Sequence, residues 1–420
     1  MSEKSEQRKT KKEERIINIL HLSDFHFGIP NKKGEENDMQ FNITHDTILI
    51  NLRNTLRNAV RSTKIDFVVI SGDVAWQAKK NGYAKFVEWI NQLLDDPEIG
   101  INRESVIMCP GNHDFNRNDK GGITEITEEN QEEELKLDNI HKRVAPFEFY
   151  QKTCQDIKIK PLENSTENTK YLYGCRHFSN EGVLFAVFNS AWNETKDKLP
   201  IWLGDGQLLD VESLVAKIRD TERIRYPNDE LLVISVFHHP LKKMNDSETT
   251  LYDRNKSTKV SRLSSFFTAM ILNGHTHGKI EVFKFPFENE YIAEFNGGTI
   301  FSNDSKIFGF EIISINVSEW KCSQHHGICE GTQWRIDYDV KTDYFHYGKQ
   351  IQEILKNPDP KKKDLHPVVL AGLEGFYQES WEKQKTIKKT GSNRRDNTEK
   401  RSSRNRQQDK DLGKEGREKV

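Results

Sequence analysis

Short apolar runs that stop abruptly at Asp, Asn or His recur along this chain, and they constrain its fold more than any other feature. IINILHLSD (16–24), IDFVVISGD (65–73), SVIMCPGNHD (105–114), LLVISVFHHP (231–240) and FTAMILNGHTHG (267–278) share this form. Runs of this length, rich in Val, Ile and Leu, read as strands buried on both faces. Helical periodicity separates the first of them: Leu49, Leu52, Leu56 and Val60 share one face, with Arg53, Arg57 and Arg61 on another. Tyr83, Phe86, Val87, Ile90, Leu93 and Leu94 repeat the pattern. Strand–helix alternation predicts an α/β core with parallel strands, and such a sheet presents its ligand crevice at the carboxyl ends of the strands.

The polar residues at those ends are Asp24-Phe25-His26, Gly72-Asp73, Gly111-Asn112-His113-Asp114, His238-His239 and Gly274-His275-Thr276-His277. Each alone is a weak signal. Together they form an ordered set of oxygen and nitrogen donors. Carboxylates mixed with imidazoles suit Mn, Fe, Zn or Ni better than Mg or Ca. A carboxylate between two cations bridges them, one oxygen to each, and glycine beside a ligand lets the backbone turn and approach closely.

The rest of the chain sets the boundaries. Residues 1–15 are charged and read as a disordered leader, and 16–350 as the folded domain. Within it, polar residues 115–180 break the rhythm and read as an inserted, partly helical cap, with a helix through Phe147 and Tyr150. From Lys279 to about Tyr347, short strands with Gly and Asn turns are expected to complete a second sheet. Residues 351–383 read as a short helical extension and 384–420 as a disordered charged tail. Residues 381–420 carry 14 Lys/Arg against 7 Asp/Glu, although the whole chain has a formal charge of only −2. That tail either contacts a nucleic-acid backbone or is a solvated end. No apolar run reaches the roughly 18 residues of a membrane span, and the charged start is unlike a secretory signal. Five sparse cysteines argue against a disulfide framework and for a reducing, cytoplasmic setting.

In order, DFH…GDV…GNHD…HH…GHTH resembles the calcineurin-like metallophosphoesterase superfamily over about residues 17–280. The resemblance implies a two-sheet β-sandwich flanked by helices, with two metal ions at one edge. It places Asp24, His26 and His277 on the first ion, Asn112, His238 and His275 on the second, and Asp73 between them. It gives His113 the leaving oxygen and Asp114 the task of orienting His113. His238 and His239 are alternatives for one ligand position: the strand runs directly into His238, and the resemblance makes the first residue of such a pair the ligand, which places His239 near the substrate or in a structural role. The implied reaction is hydrolysis of a phosphate ester by a hydroxide shared between ions roughly 3.5–4 Å apart.

Local features narrow the branch. SGDVAWQAKKNGYAKFVEWINQLL, WLGDGQLLDVESLV and HHP are similar to the cyclic-nucleotide phosphodiesterase-like branch. The Ser/Thr protein phosphatase pattern, with G-D-X-X-D-R-G and G-N-H-E, is not matched. ILHLSDFHFG (19–28) is similar to the first motif of the Mre11 and SbcD nucleases, so a DNA nuclease is the second reading. A non-catalytic binding module on the same fold is the third, although such modules lose metal-site histidines that this chain keeps. Substrate partners are therefore phosphoesters, nucleotides among them, with no membrane partner and no assigned oligomeric state. Three smaller questions remain. CSQHHGIC (322–329) is either a zinc site through Cys322, His325 or His326, and Cys329, or a turn. Phe25 and Trp76 either stack on a substrate base or pack the core. Asn189 and Asn193 follow a strand and are candidates for lining a pocket.

Overall fold

The computed structural model describes residues 15–30, 39–118, 123–194, 200–225, 231–244, 268–277, 281–284, 293–303, 308–318 and 321–342. The leader, the extension and the tail lie outside these residues, save for Arg15.

Three of the apolar runs form β1 (Ile16–Leu22), β2 (Phe67–Ser71) and β3 (Val106–Cys109), parallel to one another in one sheet. The helices between them are α1 (Met39–Val60) and α2 (Lys80–Leu94). A second sheet is built from β4 (Gly174–Phe178), β5 (Val183–Val187), β6 (Leu232–Val236), β7 (Thr268–Asn273), β8 (Glu281–Lys284) and β9 (Ala293–Asn296), in the order β4-β5-β6-β7-β9-β8. Its central strands are parallel, and β4 and β8 run antiparallel at the edges.

Side-chain alternation explains why the sheets stack. Ile17 and Ile19 of β1, Phe67 and Val69 of β2, and Ile107 and Cys109 of β3 all point to one face. They meet Val183, Phe185 and Val187 of β5, Leu232, Ile234 and Val236 of β6, and Leu272 and Phe295. Two-residue periodicity puts every second side chain in this shared core, at about 1.5–3 kcal/mol for each large apolar group fully buried. The other faces carry helices. Leu49, Leu52 and Leu56 of α1 are buried, as are Phe86, Ile90 and Leu93 of α2. The result is the expected sandwich of two mixed sheets flanked by helices.

Three expectations need correction. Residues beyond 279 do not serve the second sheet alone. β10 (Phe308–Asn316), β11 (Lys321–Glu330) and β12 (Gln333–Thr342) extend the first sheet, because β10 pairs antiparallel with β1. The sheet is thus mixed rather than parallel. The segment read as an insertion holds the short helices α3 (Gln131–Glu134), α4 (Leu137–Ile140) and α5 (Glu148–Asp156), but its last residues are β4, an integral edge strand. Finally, CSQHHGIC is strand β11, neither a turn nor a zinc loop. Its seven-residue span separates Cys322 and Cys329 by about 23 Å at the usual rise, too far to share an ion. The remaining helix, α6 (Asp205–Arg225), begins in WLGDGQLL and packs beside β4.

Candidate metal centre

The loops leaving β1, β2, β3, β6 and β7 converge at one end of the sandwich. Backbone hydrogen bonds lock them: Asp24 N donates to Gly72 O (3.2 Å), His26 N to Asp73 O (3.0 Å) and Gly274 N to His238 O (3.0 Å). The glycines allow the approach. Gly72 has φ +95°, and a Cβ there would meet His238 Nδ1 at 2.6 Å. A Cβ on Gly111 would run into the Asp73 carboxylate. Asp24, His26, Asp73, His275 and His277 all adopt left-handed φ, between 47° and 72°. Positive φ is uncommon outside glycine, although Asp and His adopt it more readily than most residues, and five such residues at one site are held there by their surroundings.

The seven ligand candidates read from the sequence meet here. The donor atoms of Asp24, His26, Asp73 and His277 lie within 4.8 Å of one another, and so do those of His238, His239 and His275. Asn112 Oδ1 joins the second group, 3.0 Å from His238 Nε2 and 2.9 Å from His275 Nδ1. Asp73 stands between the groups: its Oδ2 is 3.1 Å from His26 Nε2 and 3.3 Å from His238 Nε2. Its Oδ1 accepts the His113 amide at 2.8 Å.

Tautomers follow from the outer partners. His26 Nδ1 donates to Phe301 O at 2.9 Å, and His238 Nδ1 donates to Ser71 O at 2.7 Å. Each bond commits the proton to Nδ1 and turns Nε2 toward Asp73, the usual arrangement of an imidazole that ligates a metal. A neutral Nε2 would set its lone pair against a carboxylate oxygen, so the site requires positive charge between them. Burial lowers the His238 pKa, but Asp73 outweighs burial and holds it up to about 10. His26 is raised by the same carboxylate against its own burial. Burial raises Asp24 and Asp73, yet the surrounding imidazoles hold Asp24 down at about 2 and Asp73 well below the carboxylate range. Asp24 Oδ1 is buried without a hydrogen bond, 3.2 Å from His277 Nε2 and outside hydrogen-bonding geometry. A carboxylate oxygen left in that state beside imidazole nitrogens fits a cation.

His238 and His239 diverge. His239 Nδ1 meets Ser190 Oγ at 2.9 Å, and its Nε2 lies 3.5 Å from Glu194 Oε1. Its donor atom lies within the second group, but its ring is engaged by Ser190 and Glu194 rather than by Asp73. Phe25 is fully buried against Phe27, Phe86 and Trp89 and packs the core. Asn189 and Asn193 are buried and pin loops: Asn189 Oδ1 accepts from Ala191 N, and Asn193 pairs with both backbone groups of Ile126.

Residues 17–279 match the family model described as calcineurin-like phosphoesterase. The chain belongs to the calcineurin-like phosphoesterase family. No curated protein matches this calcineurin-like phosphoesterase over its sequence. Solved structures do. A purple acid phosphatase from yellow lupin (Lupinus luteus) seeds is similar at 12% identity and TM-score 0.42, over 78% of this chain and 53% of that one. This chain thus spans about half the length of the lupin enzyme. The calcineurin-like phosphoesterase YfkN from Bacillus subtilis is similar at 13% identity and TM-score 0.35, covering 82% of this chain and 98% of that one. A metallophosphoesterase from Sphaerobacter thermophilus is similar at 13% identity and TM-score 0.26, covering 85% and 98%.

In one respect this calcineurin-like phosphoesterase departs from the pattern read in its sequence. The resemblance gave Asp114 the task of orienting His113. Instead its carboxylate accepts the amides of Val74 (3.2 Å to Oδ1), Ala75 (3.3 Å) and Gly111 (2.9 Å), and the Tyr83 hydroxyl (3.0 Å). Among the described residues no hydrogen bond joins it to the His113 imidazole. That ring is held by Trp76, stacked at 4.0 Å between centroids and 21° between planes, and edge-on by His26. Periodicity marked Tyr83 only as a helix-core residue. The carbonyls of Ser71 and Phe301 left no mark in the sequence, because any residue supplies one.

Proposed function

We propose that this chain is a metal-dependent hydrolase of phosphate esters, acting on diesters. The observation that carries the reading is the position of Asp73 Oδ2, 3.1 Å from His26 Nε2 and 3.3 Å from His238 Nε2, between the two donor groups. Asp24, His26 and His277 would hold one divalent transition-metal ion and Asn112, His238 and His275 a second, with Asp73 shared. Mn, Fe, Zn and Ni suit this donor set. Ions in this position supply Lewis acidity toward phosphoryl oxygens and acidify water.

The chain's own groups do the rest. Asn112 contributes an uncharged oxygen, which limits the negative charge facing an anionic phosphate. The carbonyls of Ser71 and Phe301 fix two imidazoles so that little reorganisation accompanies substrate binding. His113, half-buried at the rim, offers a ring N–H to the leaving oxygen as charge develops there. The preference for diesters rests on the sequence likeness to the cyclic-nucleotide phosphodiesterase-like branch.

The test is a panel assay on the purified protein with added manganese. Substrates are bis-p-nitrophenyl phosphate, p-nitrophenyl phosphate, cyclic nucleotides, and single- and double-stranded DNA. Diester turnover without DNA cleavage is expected. Exonuclease activity would move the protein to the nuclease reading, and metal binding without any turnover would make it a binding module.

A further inference from the structure

We infer that Trp76 is the positioning residue for the His113 imidazole, and that Asp114 acts on His113 through Trp76 rather than by contact. This deepens the hydrolase reading and rests on it.

The connection runs in steps. Asp114 accepts the amides of Val74 and Ala75, fixing the backbone just ahead of Trp76. Trp76 N donates to Phe27 O at 2.9 Å, tying the same turn to the β1 loop that carries His26. Immediately after Trp76, Gln77 and Ala78 both adopt left-handed φ, 52° and 51°. Two non-glycine residues in succession in that region form a strained turn held by its neighbours. The turn sets the indole flat on His113 at 4.0 Å and edge-on to His26 at 5.6 Å. The His113 ring makes no hydrogen bond among the described residues, while its own amide is fixed on Asp73. Rotation about its side-chain bonds is therefore limited by aromatic contact, with Trp76 on its face and His26 on its edge. Offset stacking favours one ring plane and leaves both ring nitrogens at the edge, free to meet a substrate oxygen. His26 is committed to Phe301 and Asp73 and cannot follow His113, so the adjustable contact is Trp76.

The experiment compares wild type, Trp76→Leu and Trp76→Phe on aryl phosphodiesters whose leaving phenols span a range of acidity, with metal content measured on each protein. Trp76→Leu should keep its metal and lose about three- to tenfold in turnover on the least acidic phenols, the scale of one aromatic pair. The loss should shrink as the leaving group improves, and Trp76→Phe should restore most of it. A uniform loss across the series, a change confined to KM, or loss of metal would overturn the inference. If wild type hydrolyses nothing, the hydrolase reading fails by itself. Positioning is then read from NMR relaxation of the 13C-labelled His113 ring, which should gain mobility in Trp76→Leu; unchanged mobility would overturn it.

Discussion

The hydroxyl of Tyr83, on α2, donates to Asp114 Oδ1 at 3.0 Å inside the core. Burial, aided by the adjacent carboxylate, holds the phenol well above its ordinary pKa, so it remains a donor at any working pH. The bond ties a helix to the loop that supports the candidate centre. Asp114 keeps three amide donors without it. Tyr83→Phe should therefore fold, with stability lower by about 1.5 kcal/mol, the usual scale for a hydrogen bond to a charged acceptor. Denaturant unfolding measures this; no change in midpoint would show that the bond contributes nothing.

Asp73 contacts both donor groups, so on the two-ion reading proposed above its removal should affect both ions. Asp73→Ala is expected to lose metal to below one equivalent per chain, whereas His113→Ala should retain its metal and lose most turnover. Elemental analysis after gel filtration distinguishes them. A fully dinuclear Asp73→Ala protein would exclude the bridging role.

The two adjacent histidines should separate cleanly. His238 Nδ1 is anchored on Ser71 and its Nε2 faces Asp73, whereas His239 is engaged by Ser190 and faces Glu194. His238→Ala should lose one ion, and His239→Ala should keep two. Retention of both ions in His238→Ala, with loss in His239→Ala, would reverse the assignment.

Glu294, outside the proposed ligand set, gives a pH prediction. Its Oε1 accepts from Leu241 N (2.7 Å) and from the Asn273 amide, while Oε2 is buried without a hydrogen bond. Burial outweighs these bonds and pushes its pKa from the ordinary 4.5 up to about 7. The folded state thus binds this proton more tightly than the unfolded chain does. Stability from this group is complete below about pH 4.5, declines as pH rises to about 7 and is flat above, by up to about 3 kcal/mol. Glu294→Gln should remove that slope. Thermal unfolding across this range checks it, and equal slopes in the two proteins would refute the shift.

Much of this was legible in the sequence because the signals were local. Apolar runs ending in Asp, Asn or His identified β1, β2, β3, β6 and β7, since burial on both faces needs nothing beyond the run itself. Spacing of Leu49, Leu52 and Leu56 located α1 for the same reason. Placement of β10–β12 was not legible: a strand pairs through backbone groups common to every residue, so sequence alone does not say which sheet it joins. The ligand candidates could be named, because donor types at strand ends are read residue by residue. Their approach, the tautomers set by Ser71 and Phe301, and the Trp76 ring on His113 depend on atoms far apart in the chain. Those relations exist only once the two sheets have packed, and tertiary structure alone decided them.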